Sequence, residues 1–160
     1  MTISQVRYTS RQLAESLAGN PYMAVISITD PSTPPARLDP MFRHVLRLSF
    51  FDAVPADEYQ PPLPGLFDLH MARAIDNFIR KLQMAPFDMS VMVHCEYGIS
   101  RSAAVALFVE ALTGASLAAR EFAYAANQWV IDRLLSLHPQ LAVDIPLAGH
   151  ARERRQARRD

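Results

Sequence analysis

The sequence contains a single cysteine, Cys95, and this scarcity limits the chemistry that the chain can perform. One cysteine cannot form an intramolecular disulfide, so the thiol suits a reducing compartment and we expect a cytoplasmic location. The five histidines are dispersed along the chain and, with one cysteine, form no metal-ligand pattern. The sequence therefore predicts a protein that needs neither a metal nor another cofactor.

Long apolar runs and a net charge are also missing. No apolar run approaches the length of a membrane span, and residues 1–7 do not resemble a secretory signal, so we expect no stable membrane association. Residues 1–151 carry eleven basic and fourteen acidic side chains, which leaves no broad basic surface for a nucleic acid. Five arginines are concentrated in residues 152–160. This distribution predicts one domain over 1–148 and a basic tail over 149–160, with no indication of the oligomeric state.

Apolar patterns of two periods alternate along the chain and predict an α/β fold. We expect a short edge strand over 3–8, strands over 22–28, 44–50 and 90–94, and a central position for the strand over 44–50. The helices are expected over 9–17, 66–83, 101–113, 116–126 and 127–139, with Thr9, Ser116 and Asn127 as N-caps and Gly19 and Gly114 as C-caps. Strands separated by helices favour a central four- or five-stranded, mostly parallel sheet flanked by helices.

The cysteine lies in a segment, 94–102, that follows one apolar run and precedes another, which is typical of a buried strand, a tight loop and a helix. A helix N-terminus offers unpaired N–H groups and a partial positive charge, so it binds anions and favours the reactive thiolate form of a cysteine. Arg101 adds a planar cation that matches two oxygens of a phosphate. One short loop therefore combines a nucleophile with an anion site.

Five residues of this segment, His94, Cys95, Gly98, Arg101 and Ser102, match the pattern H-C-x-x-G-x-x-R-S/T. In this pattern and in its form C-E-x-G-I-S-R-S, the chain resembles the cysteine-dependent protein tyrosine phosphatase superfamily, and most of all the dual-specificity-like branch with its small bacterial members. The resemblance implies a four- or five-stranded sheet flanked by helices. It also implies hydrolysis of phosphomonoesters through a phosphocysteine intermediate. The alternative is an inert buried cysteine at a strand end, which would not require Gly98, Arg101 and Ser102 as well.

The resemblance assigns roles to individual residues of the loop. Cys95 would attack phosphorus, Arg101 would hold two phosphoryl oxygens, and Ser102 would stabilise the thiolate when it leaves the intermediate. His94 would bond near Cys95 and favour its thiolate, unless it is a plain buried histidine. The backbone N–H groups that surround the phosphate would be those of Glu96, Tyr97, Gly98, Ile99, Ser100 and Arg101.

A general acid must come from another segment, because the leaving alcohol needs a proton. In the family this acid is an aspartate after the preceding strand, and Asp52 matches that position at the start of a long, proline-rich loop over 51–65. Asp57 and Glu58 in the same loop are alternatives. Asn127 and Gln128 follow the central helix, where some relatives keep an amide near the hydrolytic water, although a helix cap is the simpler role for Asn127.

The short chain favours a shallow, permissive pocket, and hence phosphotyrosine, phosphoserine or phosphothreonine proteins, or small phosphomonoesters, as substrates. A phosphoinositide substrate is the less favoured alternative, because an acidic Glu96 facing the pocket would repel a polyphosphorylated head group. A second alternative is a binding module that holds phosphorylated residues without hydrolysing them.

Overall fold

The computed structural model of the protein describes residues 3–54 and 64–149. Its centre is a five-stranded sheet in the order β3-β2-β4-β1-β5, in which every pair is parallel. The strands are β1 (Ile3–Ser10), β2 (Met23–Thr29), β3 (Val45–Ser49), β4 (Met89–Cys95) and β5 (Ser116–Leu117). The helices are α1 (Arg11–Ser16), α2 (Leu69–Gln83), α3 (Arg101–Thr113) and α4 (Gln128–Leu135), with a 3₁₀ helix at Arg120–Ala125. The prediction of an α/β fold with a parallel sheet is confirmed.

The middle of the sheet is formed by β4, which pairs with β2 on one side and β1 on the other. Helix α3 follows β4 after a five-residue loop and is buried from Arg101 through Val109, because it packs against the sheet and against α4. Gly114 ends α3 in the left-handed conformation, at φ 75°, as predicted. The loop between β4 and α3 therefore lies at the carboxyl edge of a parallel sheet, where open α/β sheets bind ligands.

The predicted positions of two strands in the sheet are wrong. The strand β1 is not an edge strand, because it lies between β4 and the two-residue β5. The strand β3 is at the edge of the sheet and not at its centre, and its side chains are exposed or only partly buried. A local hydrophobic pattern identifies a strand, whereas the order of strands is set by packing between distant segments.

The first helix begins one residue later than predicted. Ser10, not Thr9, caps α1, since the Ser10 hydroxyl accepts a hydrogen bond from Leu13 N at 3.2 Å. The helix ends at Ser16 with Leu17 as its C-cap, so the predicted cap at Gly19 is wrong. Close packing explains this glycine, because a Cβ at Gly19 would lie 2.6 Å from the Cβ of Met41.

Two further boundaries differ from the sequence-based prediction. Ser116 begins β5 instead of capping a helix, because residues 116–117 pair with β1 before the 3₁₀ helix. Asp68 caps α2 through a 2.9 Å bond from Met71 N, so this helix starts three residues later than predicted. The predicted cap at Asn127 is confirmed, and α4 ends at Leu135, before the expected position 139.

Within the described ranges, no helix has both the length and the apolar composition of a membrane span. Most of the predicted basic tail, residues 150–160, lies outside the described part of the chain.

Candidate active site

The side chain of Cys95 is buried at the end of β4, and two donors lie close to its sulfur. Gly98 N donates to Cys95 Sγ at 3.3 Å, and Ser102 Oγ lies 3.1 Å from Sγ. The side chain is 3% exposed, so few water molecules compete with these contacts. An N–H and a hydroxyl group are thus both within hydrogen-bond distance of one sulfur, where they can stabilise a negative charge.

The loop folds tightly against the end of β1. Gly98 has a φ of 71°, and a Cβ at this position would lie 2.5 Å from both Ser10 N and the carbonyl carbon of Thr9. Arg11 N also donates to Glu96 O at 3.2 Å. Glycine is therefore required at position 98 for its conformation and for the close approach of two backbone segments.

Arg101 is buried at the start of α3 and held by two acceptors. Its Nη1 donates to Asp30 Oδ1 and to the carbonyl oxygen of Phe50, each at 2.7 Å. Its Nε is also buried and has no hydrogen-bond partner among the described residues. The two Nη1 bonds thus fix the guanidinium, and the buried Nε–H is a donor left without a partner in the described part of the chain.

Asp30 lies at the site although no sequence motif indicated it. It directly follows β2, which is the neighbour of β4, so it stands at the same edge of the sheet as Cys95. Open parallel sheets bind ligands at the carboxyl ends of their strands. That β2 and β4 are neighbours, and so bring Asp30 and Cys95 together, is known only from the strand order.

His94 is fully buried beneath the loop and makes two hydrogen bonds. Its Nδ1 lies 3.2 Å from Cys95 O and its Nε2 lies 2.6 Å from Ser27 Oγ. Because a carbonyl oxygen only accepts, Nδ1 carries a proton and donates. Burial lowers the pKa of His94, and the nearby Arg11 lowers it further, against the bond to Cys95 O, which raises it. We infer a neutral ring whose Nε2 accepts from Ser27, so His94 orients the backbone at Cys95 without adding positive charge.

Asp52 lies in an exposed position next to the loop. Its Oδ1 accepts two hydrogen bonds of 2.8 Å, one from Ser100 Oγ and one from Asn127 Nδ2. A carboxylate from the segment after β3 is therefore brought to the loop that carries the cysteine. The alternative acids Asp57 and Glu58 lie outside the described residues.

Asn127 has more contacts than a helix cap needs. Its Oδ1 accepts from Val130 N at 3.1 Å, which is the predicted cap. Its Nδ2 donates to Asp52 Oδ1 and, at 3.3 Å, to Ala53 O, and its backbone N donates to Ser100 O at 3.1 Å. The residue is 4% exposed. The contact with Asp52 was not predicted, because 75 residues separate the two positions.

The remaining side chains of the loop point in different directions. Tyr97 is 79% exposed and Ile99 is 57% exposed, so both form an apolar rim. The Glu96 carboxylate lies 3.8 Å from Arg11 Nη1, on the side of β1 and α1. In the described parts of the chain, no group of three or more His, Cys, Asp or Glu side chains could hold a metal ion.

Comparison with solved structures finds phosphatases of the dual-specificity and tyrosine types. The chain is similar to human DUSP28, with 21% sequence identity, a TM-score of 0.40 and alignment over 96% of this chain and 94% of that chain. It is also similar to Tk-PTP in the active form, with 13% identity, a TM-score of 0.36 and alignment over 92% of this chain and 84% of that chain. No protein-family model and no curated protein matches the sequence. At identities and TM-scores this low, any functional conclusion has to come from the side chains of the site.

Proposed function

We propose that the protein hydrolyses phosphomonoesters through a phosphocysteine intermediate, as a cysteine-dependent phosphatase of the dual-specificity-like type. The observation that carries the proposal is the joint position of three groups around one loop. These groups are the Cys95 sulfur with its two donors, the fixed guanidinium of Arg101, and the Asp52 carboxylate next to Ser100. This reaction needs a nucleophile, a cation that stabilises the charge on the phosphoryl oxygens, and an acid.

In the first step the Cys95 thiolate forms a bond to phosphorus while the bond from phosphorus to the ester oxygen breaks. Asp52 transfers a proton to that oxygen, so the leaving group departs as a neutral alcohol while the phosphoryl group stays on Cys95. The charge on the phosphoryl oxygens is stabilised by loop N–H groups and by Arg101, whose Nη1 bonds to Asp30 and Phe50 prevent it from turning away. Donors that are already oriented need no reorganisation in the transition state.

In the second step water attacks the phosphorus of the intermediate. The Asp52 carboxylate takes a proton from that water, the bond between sulfur and phosphorus breaks, and inorganic phosphate is released. The departing thiolate accepts hydrogen bonds from the Ser102 hydroxyl and from Gly98 N, which stabilise it as a leaving group. The proton taken from water returns Asp52 to its protonated form, and the cycle is complete.

The substrates in this proposal are phosphorylated tyrosine, serine or threonine residues of proteins in the cytoplasm. The exposed apolar side chains of Tyr97 and Ile99 stand beside the loop, where they would contact the residues around a phosphorylated side chain. A phosphoinositide remains the alternative substrate, and non-catalytic binding of phosphorylated residues remains the alternative function.

The proposal is tested by hydrolysis of para-nitrophenyl phosphate in EDTA with a reducing agent. We expect turnover by the wild-type protein and none by Cys95→Ser, which replaces the nucleophile by a hydroxyl of similar size. The matched variant Ser102→Ala keeps the nucleophile but weakens the leaving group of the second step. It should therefore show a burst of one nitrophenol per protein followed by a slow phase.

Three results would contradict the proposal: activity that needs a metal, activity that survives Cys95→Ser, and the absence of any activity. Phosphopeptide binding without turnover would support the binding module instead. With an active enzyme, a panel of phosphopeptides and inositol phosphates then separates protein from lipid-type substrates.

A further inference from the structure

We infer that Asn127 is a positioning residue for the general acid: it holds Asp52 by one carboxylate oxygen and leaves the other to carry the proton that is transferred. The inference rests on the proposed function, because it concerns a residue that acts through Asp52. It assigns to the start of α4 a part in the reaction beyond capping a helix.

The geometry joins three segments at one buried amide. The backbone N of Asn127 is bonded to Ser100 O in the loop, and its side-chain Nδ2 is bonded to Asp52 Oδ1 and Ala53 O in the segment after β3. Its Oδ1 is fixed by Val130 N in the first turn of α4. Its backbone carbonyl accepts from Ile131 N at 3.2 Å, so every polar group of Asn127 is bonded. The amide therefore has one orientation, and its Nδ2 is directed at Asp52.

Both donors to Asp52 converge on the same oxygen. Ser100 Oγ and Asn127 Nδ2 each lie 2.8 Å from Oδ1, and the structure gives no such contact to Oδ2 among the described residues. An oxygen that accepts two hydrogen bonds is a poor place for a proton. When Asp52 is protonated, the proton therefore resides on Oδ2. After its transfer to the leaving oxygen, the negative charge is stabilised by the two donors on Oδ1.

A cap alone does not explain the choice of asparagine. Serine, aspartate and asparagine are about equally good N-caps, since each offers an oxygen to the first turn. Only asparagine offers an acceptor and an N–H donor on the same rigid group. Aspartate has no donor, and the serine hydroxyl is shorter. The residue that satisfies both Val130 N and Asp52 Oδ1 is the one present.

The chain offers a matched control at the next position. Gln128 also carries an amide near the start of α4, but its Nε2 donates to Asp132 Oδ1 at 2.7 Å on the exposed side of that helix. Replacing Gln128 by alanine removes an amide of the same chemistry without touching Asp52.

The test compares two substrates that differ in their need for an acid. Phenyl phosphate releases phenol, which like tyrosine has a pKa of about 10, whereas para-nitrophenyl phosphate has a better leaving group and needs a proton less. For Asn127→Ser, which keeps a capping oxygen but lacks the amide donor, we expect kcat/KM to fall about 10- to 100-fold with phenyl phosphate. We expect a clearly smaller loss with para-nitrophenyl phosphate, and no such difference for Gln128→Ala.

A double-mutant cycle with Asp52→Ala separates positioning from folding. If Asn127 acts through Asp52, the Asn127→Ser substitution should cost little further activity once Asp52 is alanine. An equal loss with both substrates, or a full loss in the Asp52→Ala background, would overturn the inference and leave only the cap. If Asp52→Ala itself shows no dependence on the leaving group, the proposed acid role fails as well. The two failures are therefore distinguishable.

Discussion

Gly98 packs closely against the backbone of Thr9 and Ser10, and replacing it by alanine tests this close approach. An alanine at φ 71° costs about 1–2 kcal/mol, because its Cβ crowds its own backbone. The same Cβ would lie 2.5 Å from backbone atoms of Thr9 and Ser10, which cannot rotate away as a side chain would. Overpacking of this kind adds about 1–3 kcal/mol, so we expect a total of about 2–5 kcal/mol.

Gly114 is the control for this experiment. It also has a positive φ, at 75°, but a Cβ there would meet nothing within 4 Å. Gly114→Ala should therefore cost only the conformational part, about 1–2 kcal/mol. Urea unfolding followed by the fluorescence of the single tryptophan, Trp129, measures both variants in one assay.

In a chain of this size, each 1 kcal/mol lowers Tm by about 2–4 °C, so Gly98→Ala should melt about 4–20 °C below the wild type. If the loop moves instead of unfolding, Gly98 N leaves the Cys95 sulfur, and the proposed hydrolysis of para-nitrophenyl phosphate should fall at least about 100-fold. Equal stability losses for Gly98→Ala and Gly114→Ala, together with unchanged activity of the former, would refute the close approach of the loop to β1.

Three further predictions concern the charged and titratable groups of the site. Arg101→Lys should lower kcat/KM for para-nitrophenyl phosphate about 10²- to 10³-fold, because one ammonium cannot bond to Asp30 and Phe50 and also hold a phosphate. A loss under tenfold would contradict the role of the planar guanidinium. Asp30→Ala leaves the Arg101 guanidinium with one acceptor, the carbonyl oxygen of Phe50. We expect about a tenfold lower kcat/KM with little change in Tm. Unaltered kinetics would show that the ion pair with Asp30 does not orient Arg101. Burial lowers the pKa of His94. From about pH 6.5 downward, the unfolded chain therefore binds a proton that the folded chain does not. The free energy of unfolding then falls by up to about 1.4 kcal/mol per pH unit, until the pKa of His94 in the folded protein is reached. Urea unfolding between about pH 7 and about pH 5 should show a flatter dependence for His94→Gln than for the exposed control His44→Gln, and parallel slopes would refute this account.

Local patterns predicted the elements of the fold well where those elements are strongly apolar. The expected helix over 101–113 has the bounds of α3, and the strands over 22–28 and 90–94 agree with β2 and β4 within one residue at either end. Strand order was not predictable in this way. The alternation of β3 is the same at an edge as at a centre, and only the packing of distant segments decides between them.

The site shows the same division between local and distant information. The loop residues are consecutive, so their shared position followed from the sequence of one segment. The contacts of Arg101 with Asp30 and of Asn127 with Asp52 join positions 71 and 75 residues apart. No spacing rule connects such positions, and the choice of these partners became visible only with the strand order and the path of the segment after β3.

The pairing of β1 with β4 has a consequence for how the protein is made. Ser4 and Met89, which are bonded across these strands, are 85 residues apart, so the first strand leaves the ribosome long before either of its neighbours exists. The end of β1, against which Gly98 packs, is thus synthesised early. It has no strand to pair with until the second half of the chain has emerged. We expect a ribosome-arrested chain that ends before β4 to bury none of β1, as measured by its protease sensitivity. The contacts of Cys95 with Gly98 and Ser102 would then form late in synthesis, once β1 and β4 can pair.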